Sequence, residues 1–181
     1  RRNNMQTKVV KIDPFQIDEN EMKEAAELIR KGELVAFPTE TVYGLGADAL
    51  HPEASKKIYA AKGRPSDNPL IVHICKFEEL VSIAKEVPAQ AEKLADAFWP
   101  GPLTMIVWKN EKVPYETTGG METVAIRMPK HPVALKLIEE SGCLIAAPSA
   151  NVSGRPSGTN VHLCGTERNG KINERVFKRI L

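Results

Sequence analysis

Two cationic side chains lie close together in the short segment 62-KGRPSDNP-69, which follows a predicted helix. Lys62 is a compact point charge and Arg64 is a planar fork of N–H donors, and this pairing suits phosphate oxygens. A helix dipole also stabilises cations at the helix C-terminus, by about 0.3–1 kcal/mol. The spacing alone leaves two interpretations open, a phosphate site and the ordinary end of a helix.

Two further polar clusters follow apolar runs, at the points where predicted strands end. The first contains Thr39, Thr41 and Tyr43, and the second contains Ser149, Asn151 and Ser153. In open α/β sheets the ligand crevice lies outside the carboxyl ends of the strands, so clusters that are distant in sequence can converge there. The second cluster could hold an anion, but Ser and Asn also form turns that bind nothing.

Arg127 lies inside the apolar run 123-TVAIRM-128, where a buried guanidinium needs a carboxylate or phosphate partner. That partner could be an anionic substrate or an internal Asp or Glu, or the side chain could face water on an edge strand. His73, in 70-LIVHI-74, is more typical of a satisfied core or edge histidine than of a catalyst, and nothing pairs it with a nucleophile.

The elements that must position these residues alternate between helices and short apolar strands. Helical periodicity and capping residues predict helices over 18–31, 52–61, 77–84, 88–99 and 132–141. Continuous apolar runs predict strands over 34–37, 70–74, 103–108, 123–128 and 144–147. This alternation indicates an α/β layer structure with several strands buried on both faces. No clean period is present after residue 153.

The composition is that of a soluble globular protein, with 42% hydrophobic and 27% charged residues in 181. A formal charge of +2 does not by itself indicate a nucleic-acid binder. The three cysteines are widely spaced, so they predict neither a disulfide framework nor a CxxC metal site. Because the chain has neither a membrane-spanning run nor the apolar core of a signal peptide, we expect a single cytoplasmic domain.

Five ordered motifs resemble the YrdC-type family of L-threonylcarbamoyladenylate synthases. They are 38-PTETVYGLGADA-49, 62-KGRPSDNPLIVHI-74, 99-WPGPLT-104, 124-VAIRMP-129 and 148-PSANVSG-154. The KxR and SxN signatures of that family correspond to Lys62, Arg64, Ser149 and Asn151. The resemblance implies one α/β domain over 1–181, with a twisted mixed sheet flanked by helices and a large concave basic cavity.

The resemblance also implies an activity. L-Threonine, bicarbonate and ATP would give L-threonylcarbamoyladenylate and pyrophosphate, and other proteins would transfer the threonylcarbamoyl group to adenosine in tRNA. ATP is expected to arrive with Mg²⁺ as a substrate complex, with no tightly bound cofactor and no protein metal site. Weak binding of tRNA or double-stranded RNA is expected from any basic concavity.

Roles for individual residues come from the same resemblance. Lys62 and Arg64 would be the catalytic residues, and would bind the nucleotide together with Ser149 and Asn151. The threonine end would be formed by Thr39, Thr41, Tyr43, His73 and Arg127, with His73 acting through shape and backbone. Gly44 and Gly46 would permit the backbone to approach the ligand closely.

Two alternatives and one departure from the family pattern remain. The domain could form carbamoyladenylate from carbamoyl phosphate, as a similar domain does in the hydrogenase-maturation carbamoyltransferase, or it could be an RNA-binding module. Family members usually continue past the SxN motif with further strands and a segment resembling G-x-E-S-T-V. The recognisable motifs here lie within 32–160, and the tail over 161–181 contains no such segment.

Overall fold

The computed structural model describes residues 7–151, 153, 154, 157, 179 and 180. The helices are α1 (Glu19–Arg30), α2 (Pro52–Lys62), α3 (Phe77–Ile83), α4 (Ala89–Phe98), α5 (Tyr115–Thr118) and α6 (Pro132–Ser141). The strands are β1 (Lys8–Val9), β2 (Val35–Phe37), β3 (Gly44–Asp48), β4 (Ile71–His73), β5 (Thr104–Trp108), β6 (Thr123–Arg127), β7 (Ile145–Ala146) and β8 (Arg179–Ile180). Among these residues, no helix has the length and apolar character needed to cross a membrane.

The strands form one mixed sheet in the order β1-β8-β2-β3-β7-β4-β6-β5. β4 and β6 are parallel, whereas β7 is antiparallel to both of its neighbours, β3 and β4. β5 lies antiparallel to β6 at one edge of the sheet. The predicted α/β class, with a mixed sheet flanked by helices, is confirmed.

Local sequence explains why the helices begin and end where they do. Asp18 caps α1, because its Oδ1 accepts hydrogen bonds from the backbone N–H groups of Asn20 and Glu21 at 2.9 and 3.1 Å. α2 begins at a proline and ends at Gly63, whose φ of 58° lies in the left-handed region. That turn places Lys62 and Arg64 on either side of the helix end.

The sheet has one fully covered face and one partly covered face. On the first face, Val72 and Ile126 pack with Ile58 of α2 and Leu80 of α3 in a large hydrophobic cluster. On the second face, α1 and α6 form another cluster with Phe37 of β2 and with β7. The second cluster does not extend to β5, where Ile106 and Trp108 are exposed.

Register places Arg127 on the partly covered face. His73 of β4 is paired with Ile145 of β7 on one side and with Arg127 of β6 on the other. Register partners in adjacent strands point to the same face, and Ile145 packs with α1 and α6. Arg127 therefore lies on the partly covered face, beside the region that α1 and α6 cover.

Most predicted elements are confirmed to within two residues, and four short ones were not predicted. β1, β8 and α5 contain two, two and four residues, too few to show a period. β3 has no strand signal in its sequence, GLGAD, which contains two glycines and no β-branched residue. The interpretation of the C-terminal tail lies outside the described residues, apart from 179 and 180.

Candidate active site

A cavity of about 280 Å³ opens on the partly covered face of the sheet. Its walls come from the loop after β2, the segment between α2 and β4, the end of β6, and the segment after β7. The lining residues that were predicted from sequence are Thr39, Tyr43, Arg64, Arg127 and Ser149. The structure thus brings together side chains from all three predicted polar clusters and from β6.

Backbone hydrogen bonds join two of these walls directly. The N–H of Leu45 donates to the carbonyl of Pro148 at 2.9 Å, and the N–H of Ala150 donates to the carbonyl of Tyr43 at 2.7 Å. An isolated antiparallel bridge between Gly44 and Ser149 lies between these bonds. The two polar segments are therefore one continuous piece of sheet-like backbone.

The loop after β2 is closed by its own threonines. The hydroxyl of Thr39 donates to the carbonyl of Val42 at 2.6 Å and accepts from the N–H groups of Thr41 and Val42, both at 3.2 Å. The Thr41 hydroxyl lies 3.1 Å from that of Thr39 and is exposed beside the cavity. The loop is thus both a hydroxyl-stabilised turn and a cavity wall.

Among the glycines of β3, Gly46 serves packing and does not line the cavity, which corrects the expectation for it, whereas Gly44 does line the cavity and its role in ligand approach stays a prediction. A Cβ on Gly46 would lie 2.7 Å from side-chain atoms of both Phe37 and Ile145, and one on Gly44 would lie 3.2 Å from Phe37. Gly44 does line the cavity, but the space beside its Cα is filled by the hydrophobic cluster under α1 and α6. Glycine is favoured at both positions because the Phe37 ring occupies the space that a side chain would fill.

Arg127 is only 9% exposed, and an internal carboxylate is its partner. Its NH2 group donates to Oε1 of Glu40 in a salt bridge, its Nε donates to the carbonyl of Gly101 at 3.2 Å, and its NH1 group donates to the hydroxyl of Thr41 at 3.3 Å. Oε2 of Glu40 accepts from the N–H of Lys130 at 3.0 Å. The arginine is thus fixed on three sides while it lines the cavity.

Glu40 remains a carboxylate in this arrangement. Burial pushes its pKa upward, but hydrogen bonds from backbone N–H groups and from Arg127 outweigh burial and hold the pKa below its usual value. Sequence reasoning missed Glu40, although it stands between Thr39 and Thr41 in the motif. The signal was present, because an arginine in an apolar strand requires an acidic partner somewhere in the chain.

His73 lies behind the cavity wall and does not line it. Its ring packs edge to face with Phe37, with centroids 6.0 Å apart, and its Nδ1–H donates to the carbonyl of Ile71 at 3.2 Å. Burial and the positive charge of Arg127 lower the pKa of His73 to about 4. The imidazole is therefore neutral near physiological pH, as expected for a residue that acts through shape.

Lys62 is buried at the end of α2, with 4% of its surface exposed. Its ammonium donates to the carbonyl of Ser149, to the carbonyl of Asn151 at 2.6 Å and to Oδ1 of Asn151 at 3.2 Å. An ammonium has three N–H donors, so these oxygens use all of them. Burial and the neighbouring charge of Arg64 lower the pKa of Lys62 to about 8.

Ser149 and Asn151 are linked to each other as well as to Lys62. The Ser149 hydroxyl donates to Oδ1 of Asn151, so one amide oxygen accepts from both a hydroxyl and an ammonium. Ser149 lines the cavity, whereas Asn151 and Lys62 support it from outside. Lys62, Ser149 and Asn151 of the predicted KxR and SxN signatures therefore form one hydrogen-bonded cluster.

Arg64 points into the same cavity from the segment that follows α2. Its NH2 group donates to the carbonyl of Pro69 at 3.1 Å. Its Nε is buried and has no hydrogen-bond partner among the residues that the structure describes, as is also true of the Tyr59 hydroxyl. Within this part of the chain neither Arg64 nor Lys62 forms a salt bridge, so no carboxylate of the described residues is paired with either cation.

Comparison with known proteins identifies the relatives of this chain. A family model for Sua5, YciO and YrdC proteins, described as "Telomere recombination", matches residues 27–176. The threonylcarbamoyl-AMP synthase of Pyrococcus abyssi is 60% identical over 156 residues, which are 86% of this chain and 46% of that protein. The corresponding protein of Bacillus subtilis is 52% identical over 161 residues, which are 88% of this chain and 46% of that protein.

A solved structure agrees with these matches. P. abyssi Sua5 in complex with L-threonine has a TM-score of 0.88 at 54% identity, over 96% of this chain and 49% of that chain. The chain thus spans about half the length of the curated relatives it matches. Because the family model matches well over half of the chain, and the motifs at the cavity are those of the family, the chain belongs to the Sua5/YciO/YrdC family.

Proposed function

We propose that this domain is a nucleotidyltransferase that forms L-threonylcarbamoyladenylate and pyrophosphate from L-threonine, bicarbonate and ATP. The observation that carries the proposal is one cavity with two differently held arginines, in a chain 60% identical to a threonylcarbamoyl-AMP synthase. Arg127 is neutralised by Glu40, whereas Arg64 and Lys62 have no carboxylate partner in the described part of the chain. Such a cavity suits a zwitterionic amino acid at one end and phosphates at the other.

The chemistry requires positioning more than acid–base catalysis. The threonine amine adds to CO₂ derived from bicarbonate and gives a carbamate. A carbamate oxygen then forms a bond to the α-phosphorus of ATP while the bond from that phosphorus to pyrophosphate breaks. Because a carbamate is short-lived and weakly nucleophilic, a site that holds it in line with the phosphorus and excludes water supplies most of the acceleration.

Arg64 takes the central role in this scheme. Its guanidinium lines the cavity together with Ser149 and carries a buried Nε–H that has no acceptor among the described residues, so it can donate to phosphate oxygens as charge moves towards the leaving group. Lys62 adds positive charge beside it and holds the backbone of Ser149 and Asn151. Lys62 reaches a phosphate only if one of its three oxygen partners is released.

The amino-acid end is formed by Arg127, Thr39 and Tyr43. Arg127 binds the threonine carboxylate through a charge-assisted hydrogen bond, while the loop of Thr39 and Thr41 limits the space for the side chain. A volume of about 280 Å³ is small for a whole nucleotide. We therefore assign the cavity to threonine and the α-phosphate, and we expect the rest of ATP, which would carry Mg²⁺, to extend beyond it.

The product is a mixed anhydride that must reach an acceptor before water attacks it. We expect it to be consumed by proteins that transfer the threonylcarbamoyl group to adenosine in tRNA, as the family resemblance implies. A weak affinity for tRNA or double-stranded RNA would follow from the positive end of the cavity and would fall steeply with salt.

The test is release of pyrophosphate from ATP by this chain. We expect release only when L-threonine and bicarbonate are both present, and thermal stabilisation by ATP with threonine beyond that by ATP alone. Release that instead requires carbamoyl phosphate would identify a carbamoyladenylate-forming domain. Salt-sensitive RNA binding with no response to ATP or threonine would favour the RNA-binding module and contradict the proposal.

A further inference from the structure

Glu40 carries a negative charge beside the cavity, yet the proposed reaction gives it no task. It is the third residue of the loop that begins after β2, and its side chain is 22% exposed. Each of its oxygens has a separate donor, Arg127 for Oε1 and the N–H of Lys130 for Oε2. Glu40 thus joins the loop after β2, the end of β6 and the connection from β6 to α6.

The guanidinium of Arg127 is held more completely than binding of an anion requires. A guanidinium has five N–H donors, and three of them are used by Gly101, Thr41 and Glu40. The two that have no acceptor among the described residues belong to NH1 and NH2, the pair of nitrogens that can bind a carboxylate with two parallel hydrogen bonds. Arg127 lines the cavity, so these two donors are available to a ligand there.

We propose that Glu40 is a positioning residue, which holds the Arg127 guanidinium so that its two remaining N–H groups bind the carboxylate of the amino-acid substrate. The identity of that substrate rests on the proposed function, whereas the coupling of Glu40 to Arg127 does not.

The anchoring of Glu40 indicates that it stays in place when the ligand binds. If the substrate carboxylate displaced Glu40 from Arg127, the Glu40 carboxylate would lose its counter-ion and keep only its hydrogen bond from the N–H of Lys130. Binding at the two remaining donors requires no such loss. Glu40 also cancels the charge of Arg127, so this end of the cavity favours a neutral zwitterion over a free polyanion.

The first experiment compares two ligands that differ only in the carboxylate, L-threonine and L-threoninol. In Glu40→Gln the side chain keeps its size, but it loses the negative charge that pairs with Arg127, and an NH₂ donor replaces one of the two oxygens that accept from Arg127 and from Lys130. We expect threonine to bind about tenfold more weakly or worse to this variant, since a charge-assisted contact is misplaced, and threoninol to bind as it does to the wild type. In an Arg127→Met background, Glu40→Gln is expected to cause no further loss.

The matched control is Glu53→Gln, which removes an exposed acid of α2 whose partner is Lys56; it is expected to leave both ligands unaffected. A general loosening of the loop would weaken threonine and threoninol equally. That result, or a further loss of threonine affinity in the Arg127→Met background, would overturn the proposal.

A second measurement needs no substrate. We expect the Nε–H signal of Arg127 in ¹H–¹⁵N spectra, assigned by its loss in Arg127→Met, to be displaced from the position of solvated arginines and to move towards it in Glu40→Gln. If the wild type shows this shift but does not bind threonine, the proposed function fails while the coupling of the two side chains stands. If the signal is the same in both proteins, the positioning role is wrong whatever the substrate.

Discussion

The two cationic ends of the cavity are held in opposite ways. Arg127 meets a carboxylate, a carbonyl and a hydroxyl, and its charge is cancelled by Glu40. Lys62 and Arg64 meet only neutral oxygens in the described part of the chain. The charge at one end is therefore neutralised without a ligand, whereas the other end leaves two cations without a carboxylate partner among the described residues, and a buried Arg64 N–H without an acceptor there.

The difference indicates that the end with Lys62 and Arg64 lowers the stability of the fold, as is expected of a site that binds an anion. A buried cation without a counter-ion is costly, and the lowered pKa of Lys62, at about 8, is a sign of that cost. A paired cation costs little as long as both partners are present, and much when one is removed. Substitutions at the two ends are therefore expected to affect different properties. Those at Arg64 should mainly lower activity, and those at Arg127 should mainly lower the stability of the fold.

The largest effect is expected from Arg64→Ala. Removing a guanidinium that stabilises a phosphoryl-transfer transition state lowers the rate by about 10³-fold, and we expect that loss in threonine- and bicarbonate-dependent pyrophosphate release. Stability is expected to change little, because the side chain makes one hydrogen bond to Pro69. Unchanged turnover would show that the positive end is not the reaction centre, and Arg64→Lys tests whether charge alone suffices.

The next effect is expected at the paired end. Arg127→Met leaves the Glu40 carboxylate without its counter-ion, and we expect the free energy of unfolding to fall by about 3 kcal/mol. The double variant Glu40→Gln/Arg127→Met removes both charges and is expected to recover part of that loss. Chemical denaturation of the four proteins measures the coupling; additive losses would mean that the salt bridge does not contribute to folding.

A smaller effect on folding is expected from Lys62→Met. The substitution leaves the oxygens of Ser149 and Asn151 without an ammonium donor, but it also removes a buried charge. Because these terms oppose each other, we expect the unfolding free energy to fall by only about 1 kcal/mol. A loss as large as that of Arg127→Met would remove the distinction between the two ends.

The smallest effect is a dependence on pH that belongs to Lys62 alone. Its pKa is about 8 in the folded protein against an ordinary value of 10.5, so the unfolded chain binds more protons between these values. Stability rises with pH wherever the unfolded state holds more protons. Relative to Lys62→Met, the wild type is therefore expected to become more stable from about pH 8 upward, as measured by denaturation across that window; a flat difference would contradict it.

The sequence predicted the residues of the site better than their contacts. Periodicity and capping located α1, α2 and α6, and the spacing of apolar runs located β4 and β6. The motifs named Arg64, Arg127 and Ser149, which do line one cavity. The predicted elements are confirmed because they depend on patterns within a single short segment, whereas the roles of the three residues stay predictions.

The contacts depend on topology, which a single segment does not encode. That Glu40 would be the partner of Arg127 follows from the approach of the loop after β2 to the end of β6, which are 87 positions apart. Lys62 gives all of its donors to residues 149–151 because two backbone carbonyls there point towards it. The direction of a backbone carbonyl cannot be read from side-chain types. Gly46 was misread for a similar reason, because its small size answers to Phe37 and Ile145.

The backbone hydrogen bonds between Leu45 and Pro148 and between Ala150 and Tyr43 have a consequence for the order of events. They join the segment that we assign to the amino acid and the segment that we assign to the nucleotide into one hydrogen-bonded unit. A first ligand that orders one segment also orders the other, so the second ligand loses less conformational entropy when it binds. Thermodynamic linkage makes this gain in affinity the same for both ligands. We therefore expect heterotropic cooperativity, in which amino acid and nucleotide each raise the affinity for the other.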